Sequence, residues 1–175
     1  MPSTQRFAAL LAHLTLSAAV ALPVIAALIW IFWDAVAPLA AAQIRSPYDL
    51  AALGVGGRFA GFGVMLIGAA LQAYGLLGLR RTFLEASQGR ALSTAAVNGF
   101  RRFAIISLVM VFVGIVQRAA LIVIFSLSDP AHQGALSIQF GTPELKALFM
   151  GLLFVFVAQV FAQGKKAQDE NAAFL

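Results

Sequence analysis

Four long apolar runs, separated by short polar breaks, dominate the chain. They extend from about Leu10 to Trp33, Phe59 to Leu79, Phe103 to Leu127 and Pro143 to Gln163. At about 1.5 Å of rise per residue, a helix of about 20 residues crosses a hydrocarbon core of about 30 Å. Each run meets that length. The pattern therefore predicts an all-α polytopic membrane protein, a four-transmembrane-helix bundle forming a single membrane domain over residues 1–175. Pro23 lies inside the first run, where neighbouring helices or a local kink can re-satisfy the carbonyl it frees. Trp30 and Trp33 near the end of that run are placed as interfacial anchors, with Asp34 just beyond. Arg6 followed by apolar residues, with Ala19 to Ala21 as small residues, resembles a signal peptide. The run nevertheless continues to Trp33, beyond an ordinary hydrophobic leader, which predicts an uncleaved first span.

The polar breaks carry their own signals. From Asp34 to about Gly57 the chain reads as a loop containing Pro38, Pro47, Tyr48 and Asp49, with Ala-Leu stretches suited to the interface and a turn or helix start at Ser46-Pro47. Residues 80–102 form the most polar segment, with Arg80, Arg81, Arg90, Arg101 and Arg102 against the single acid Glu85. Thr82 to Ser87 can extend the second helix, Gly89 suits a left-handed C-cap, and Ser93 or Thr94 suits the next N-cap. Asp129-Pro130, His132 and Gly134 mark a turn-prone loop from Ser128 to Gly141. Thr142 as N-cap, Pro143 at the first helical position and Glu144 behind it open the fourth helix. Gly164 is expected to close it, leaving a polar tail over residues 164–175.

Composition points the same way. Of 175 residues, 61% are hydrophobic and 11% charged, where a soluble domain carries about a quarter charged. The net charge of +5 does not imply direct nucleic-acid binding, because the basic residues flank apolar runs instead of forming a patch with interleaved aromatics. Their distribution orients the chain. Arg6, the five arginines of residues 80–102, Lys165 and Lys166 fall on one side, and Arg45, Arg58 and Lys146 edge the other. Under the positive-inside rule both termini and the 80–102 loop are cytoplasmic. The absence of Cys excludes disulfides, thiolate catalysis and Cys-ligated metal.

The second run is rich in small residues. Gly57 and Gly61 form a G-x-x-x-G, Ala69 and Ala73 repeat the spacing, and Gly63, Gly68, Gly75 and Gly78 add to it. Small residues let backbones approach closely where lipid supplies no hydrophobic drive. Packing within the chain is one reading, and homo-oligomerisation through this span is the other.

Around the middle loop, the Gly-x-x-apolar-Ser step of Gly89, Leu92 and Ser93, then Asn98 and Arg101-Arg102, resembles domain of unknown function 2975, a family of bacterial four-span integral membrane proteins. The likeness covers nearly the whole chain, including the short polar tail Gly164 to Asn171. Leu92 departs from it, since the family more often has Phe there. The resemblance implies the bacterial cytoplasmic (inner) membrane and a gene neighbourhood that often includes a small helix-turn-helix regulator. It brings no catalytic residues.

Candidate sites are few. Arg118 is a charge inside a span, which costs about 2.5–3.5 kcal/mol at the helix centre and is then often functional. It stands about 24 Å along the helix from Arg102, close enough to the outer interface to snorkel or to pair with Asp34 or Asp49. Gln72, Gln117 and Gln159 are intramembrane amides, suited to hydrogen bonds between helices or to a polar path. His13 and His132 fall on opposite sides, which disfavours a shared metal. None of the seven acids lies deep in a run, Glu144 standing at the outer edge of the fourth, and no nucleophile elbow, zinc-helix motif or phosphate-binding glycine loop is present. The expectation is a protein without enzymatic activity, cofactor or metal. Two functions remain. One is a regulatory or scaffold protein that binds membrane lipid and a cytoplasmic regulatory protein through Arg80, Arg81, Arg90, Arg101, Arg102, Asp169 and Glu170, with opposite charges at Arg90 and at the two tail acids. The other is a small transporter, channel or efflux component with a polar path near Gln72, Gln117 and Arg118.

Overall fold

The computed structural model describes residues 3–44, 48–129 and 141–172, and among these every regular element is helical. The helices are α1 (Ser3–Ile31), α2 (Trp33–Ile44), α3 (Val55–Ser87), α4 (Thr94–Ser128) and α5 (Thr142–Ala172). A single 3-10 turn, Leu50–Ala52, lies between α2 and α3. The all-α expectation holds, and α1, α3, α4 and α5 are each long and apolar enough to cross a membrane. Their 29, 33, 35 and 31 residues span about 44 to 52 Å, more than a hydrocarbon core requires. The surplus is helical, so α1 starts at Ser3 and α3 continues through Ser87. Gly164 does not close the fourth helix, because α5 runs on to Ala172. A helical glycine costs only about 1 kcal/mol, and the turns beyond it are good helix formers joined by Lys165–Asp169 and Lys166–Glu170 pairs one turn apart.

The segment read as a loop from Asp34 begins with a helix, α2. At the junction the backbone ladder persists: Phe32 donates to the Leu28 carbonyl at 2.9 Å, and its own carbonyl accepts from Ala35 and Val36. Pro38 removes one rung without ending the helix. The turn signals at Ser46-Pro47 and at Pro130, His132 and Gly134 lie outside the described residues.

The chain divides into two compact units. The first comprises Met1–Ala21, Leu71–Val111 and Gly141–Leu175, and the second Leu22–Ala70 and Phe112–Phe140. The first unit packs small residues inward and aromatic rings around them. Ala8, Ala12, Ala19, Ala96, Ala104 and Ala158 are buried, while Phe100 meets Phe161 and Phe103 meets Phe154 with ring centroids 5.2 and 5.3 Å apart. Phe7, Leu10, Leu14, Phe149 and Phe156 are exposed. Large side chains outside and small ones inside suit a lipid solvent.

The second unit has a cluster of Trp30, Trp33, Ala37, Leu50 and Leu53, backed by Phe62, Met65, Leu121 and Phe125. Trp30 and Trp33 stack with centroids 4.5 Å apart, and Trp33 lies 5.9 Å from Phe125. Their indole N–H groups donate to the Met65 sulfur and the Leu50 carbonyl. Both rings are buried, and each polar edge finds a partner inside the unit.

Candidate functional site

The richest polar geometry sits at the α3–α4 connection in the first unit. Gly89, at φ +78°, ends α3 in the left-handed region. The Arg90 N–H reaches the Glu85 carbonyl at 2.9 Å and the Gly89 N–H the Ala86 carbonyl at 3.0 Å, the paired bonds of a Schellman motif. Ser93 opens α4. Its carbonyl accepts from the Val97 N–H and its hydroxyl from the Ala96 N–H. The Gly89, Leu92 and Ser93 step is therefore a stop, a spacer and a start.

Glu85 joins these parts. It accepts from Arg90 Nε at 3.0 Å, from Arg90 Nη2 at 3.3 Å and from the Ser93 hydroxyl at 3.0 Å. Lying beyond the apolar run of α3, its carboxyl is held below the ordinary value, first by the Arg90 hydrogen bonds and then by that of Ser93. Below the turn, buried Thr82 donates to the Ala96 carbonyl at 2.9 Å. Gly78 and Gly99 then bring the two backbones together, a Cβ on Gly78 falling 2.7 Å from the Gly99 oxygen.

A cleft of about 440 Å³ opens beside this turn. Gly89 to Ser93 line one side, and Lys165 and Gln168 of α5 the other. The opposite charges of Arg90 and the tail acids are each paired locally. Asp169 binds Lys165 and Glu170 lies 3.8 Å from Lys166, each one turn away on its own helix, while Arg90 is held by Glu85 and Gln88.

The other arginines behave differently. Among the described residues, Arg80, Arg101 and Arg102 have no carboxylate partner, while Arg81 acts on Glu85 through charge alone. Arg102 lays its guanidinium over the Tyr74 ring, 4.5 Å from the centroid. Its Nε and that of Arg80 are buried without a hydrogen-bond partner. Gln159 is exposed on α5 and lines a second cleft, between α4 and α5, together with Arg101. Gln72 is half-buried on α3 in the same unit.

In the second unit, Gln117 donates to the Val64 carbonyl at 2.7 Å, and its amide packs against Gly68. It acts as a strut between α4 and α3. Arg118 is exposed on α4 and engaged by neighbouring groups. The carboxylates expected beside it are occupied elsewhere. Arg58 forks onto both oxygens of Asp34 at 2.5 and 3.1 Å, which holds that carboxyl below its ordinary value. Asp49 caps the 3-10 turn through the Ala51 N–H. Several glycines of α3 meet the chain's own groups: Gly57 faces Leu53, Gly61 the Trp30 ring and Gly75 Ile106, while Gly56 and Gly63 face open space.

His13 donates from Nδ1 to the Ala9 carbonyl one turn back at 2.8 Å. Among the described residues no three His, Cys, Asp or Glu side chains gather as a metal site. Sequence reasoning missed Glu85, Thr82 and the Arg102–Tyr74 pair as organising contacts. A usable signal existed, because a hairpin turning near Gly89 sets residues equidistant from it side by side, as with Tyr74 and Arg102. No family model, curated protein or solved structure matches the chain.

Proposed function

We propose that this protein is a non-enzymatic regulatory or scaffold protein of the bacterial inner membrane, of the kind grouped as domain of unknown function 2975. In this reading both termini and the α3–α4 turn are cytoplasmic, and the turn and the end of α5 receive a cytoplasmic protein. The basic residues at one end of the apolar runs support that orientation.

The observation that carries the reading is the order of the turn. Positive charge alone suffices to set topology and needs no particular geometry. Here the turn is closed by a Schellman motif, a side-chain N-cap and a carboxylate accepting from two side chains. A rigid surface loses little entropy when a partner binds. The cleft presents Arg90, Lys165 and Gln168, whose donors suit a polar segment carrying acidic residues.

The test is capture of cytosolic proteins on nanodiscs holding the full chain. A specific partner should be retained and lost at least tenfold when Arg90 and Lys165 are both changed to Glu. Equal retention by that variant overturns the reading.

A further inference from the structure

We infer that the cleft between α4 and α5 in the first unit binds one anionic phospholipid, its phosphate held by Arg101 and Gln159. The cleft measures about 220 Å³. Ala104 and Ala158 form its floor, both buried and small, so the two helices leave a channel walled by Ile105 and Val155. The channel is apolar along most of its length and polar where Arg101 and Gln159 line it.

Two observations select the occupant. Arg101, which lines the cleft, has no carboxylate partner among the described residues, so the mouth carries an uncompensated positive charge. Gln159 stands exposed within the apolar run of α5 with no hydrogen-bond partner among the described residues. An amide facing hydrocarbon without a partner is costly, and a lipid phosphate is an acceptor at that boundary. A guanidinium forks onto phosphate oxygens, and a carboxamide NH₂ adds one more donor. The adjoining channel takes methylene groups, which a free phosphate ion lacks. Charge and shape together call for an anionic amphiphile, and in a membrane that is a phospholipid with net negative charge.

The site rests on the four long helices lying in a bilayer and not on the docking of a cytoplasmic partner, so either can fail alone. Native mass spectrometry of the full chain in neutral detergent, titrated with phosphatidylglycerol or phosphatidylcholine, tests it. One phosphatidylglycerol should be retained in preference to phosphatidylcholine. Arg101→Gln should weaken retention about fivefold, the equivalent of one surface arginine's attraction. Gln159→Leu should weaken it less, and Ala162→Leu should weaken it by obstructing the channel with the charge intact. All three positions are exposed, so helicity by circular dichroism should be unchanged. Soluble glycerol phosphate should not compete. The inference is overturned if Arg81→Gln costs as much as Arg101→Gln, if phosphatidylcholine is held equally, or if glycerol phosphate displaces the lipid.

Discussion

Thr82, Glu85 and Gly89 hold the α3–α4 turn by three different interactions, and substitution separates them. Thr82→Val keeps the shape but removes the hydroxyl's bond to the Ala96 carbonyl, which should cost about 1 kcal/mol in thermal unfolding followed by circular dichroism. Gly89→Ala forces a side chain into the left-handed region, at about 1–2 kcal/mol, and brings its Cβ within 3.3 Å of Gln5. Glu85 makes the turn sensitive to acid. A carboxyl whose folded pKa is depressed contributes stability above its ordinary value, 4.5 here, and loses it as pH falls through the lowered one. Amide exchange of residues 88–93 should therefore accelerate below about pH 4.5, and Glu85→Gln should abolish that dependence. Ser93 and Gly89 were legible as cap residues from their types alone. Glu85 was not, because an acid in a basic loop reads as solvated until its three donors are placed around it.

Among the helices, the buried positions recur at seven-residue steps: Ala12, Ala19 and Ala26 on α1, Gly61, Gly68, Gly75 and Thr82 on α3, and Glu144, Gly151 and Ala158 on α5. Seven residues are nearly two turns, so the step keeps them on one side of each helix. The sequence showed small residues but not which ones carry a contact. Gly78→Ala should cost about 1–3 kcal/mol, since its Cβ would meet a backbone oxygen that has nowhere to yield. Gly63→Ala, with nothing within 4 Å, should be neutral or stabilising by up to about 1 kcal/mol. Helix unfolding in the same detergent compares the two directly. The start of α5 shows a similar limit. Thr142 was expected as its N-cap, yet the Leu145 N–H reaches the Gly141 carbonyl and Glu144 accepts from the Gly141 N–H at 2.8 Å. The cap lies one residue earlier, and Glu144 supplies half of a capping box from the third helical position.

At the scale of the whole molecule the open prediction is orientation. The chain has no Cys, so single cysteines can report sidedness without background. Gln88→Cys, exposed at the α3–α4 turn, should react with a membrane-impermeant maleimide only after the membrane is opened. Ala52→Cys, exposed in the 3-10 turn, should react from outside. The reverse pattern defeats the cytoplasmic reading of the turn. Apolar run length, charge placement and cap residues were enough to determine an all-α chain with four helices able to cross a membrane, because those properties depend on solvent transfer and local backbone preference. Tertiary structure alone decided that Trp30 and Trp33 turn inward, that Arg90 answers Glu85 instead of the tail acids, and that Arg101 shares a cleft with Gln159. Each of those outcomes depends on which side chains from distant segments arrive at the same place, and no periodicity along the chain encodes that.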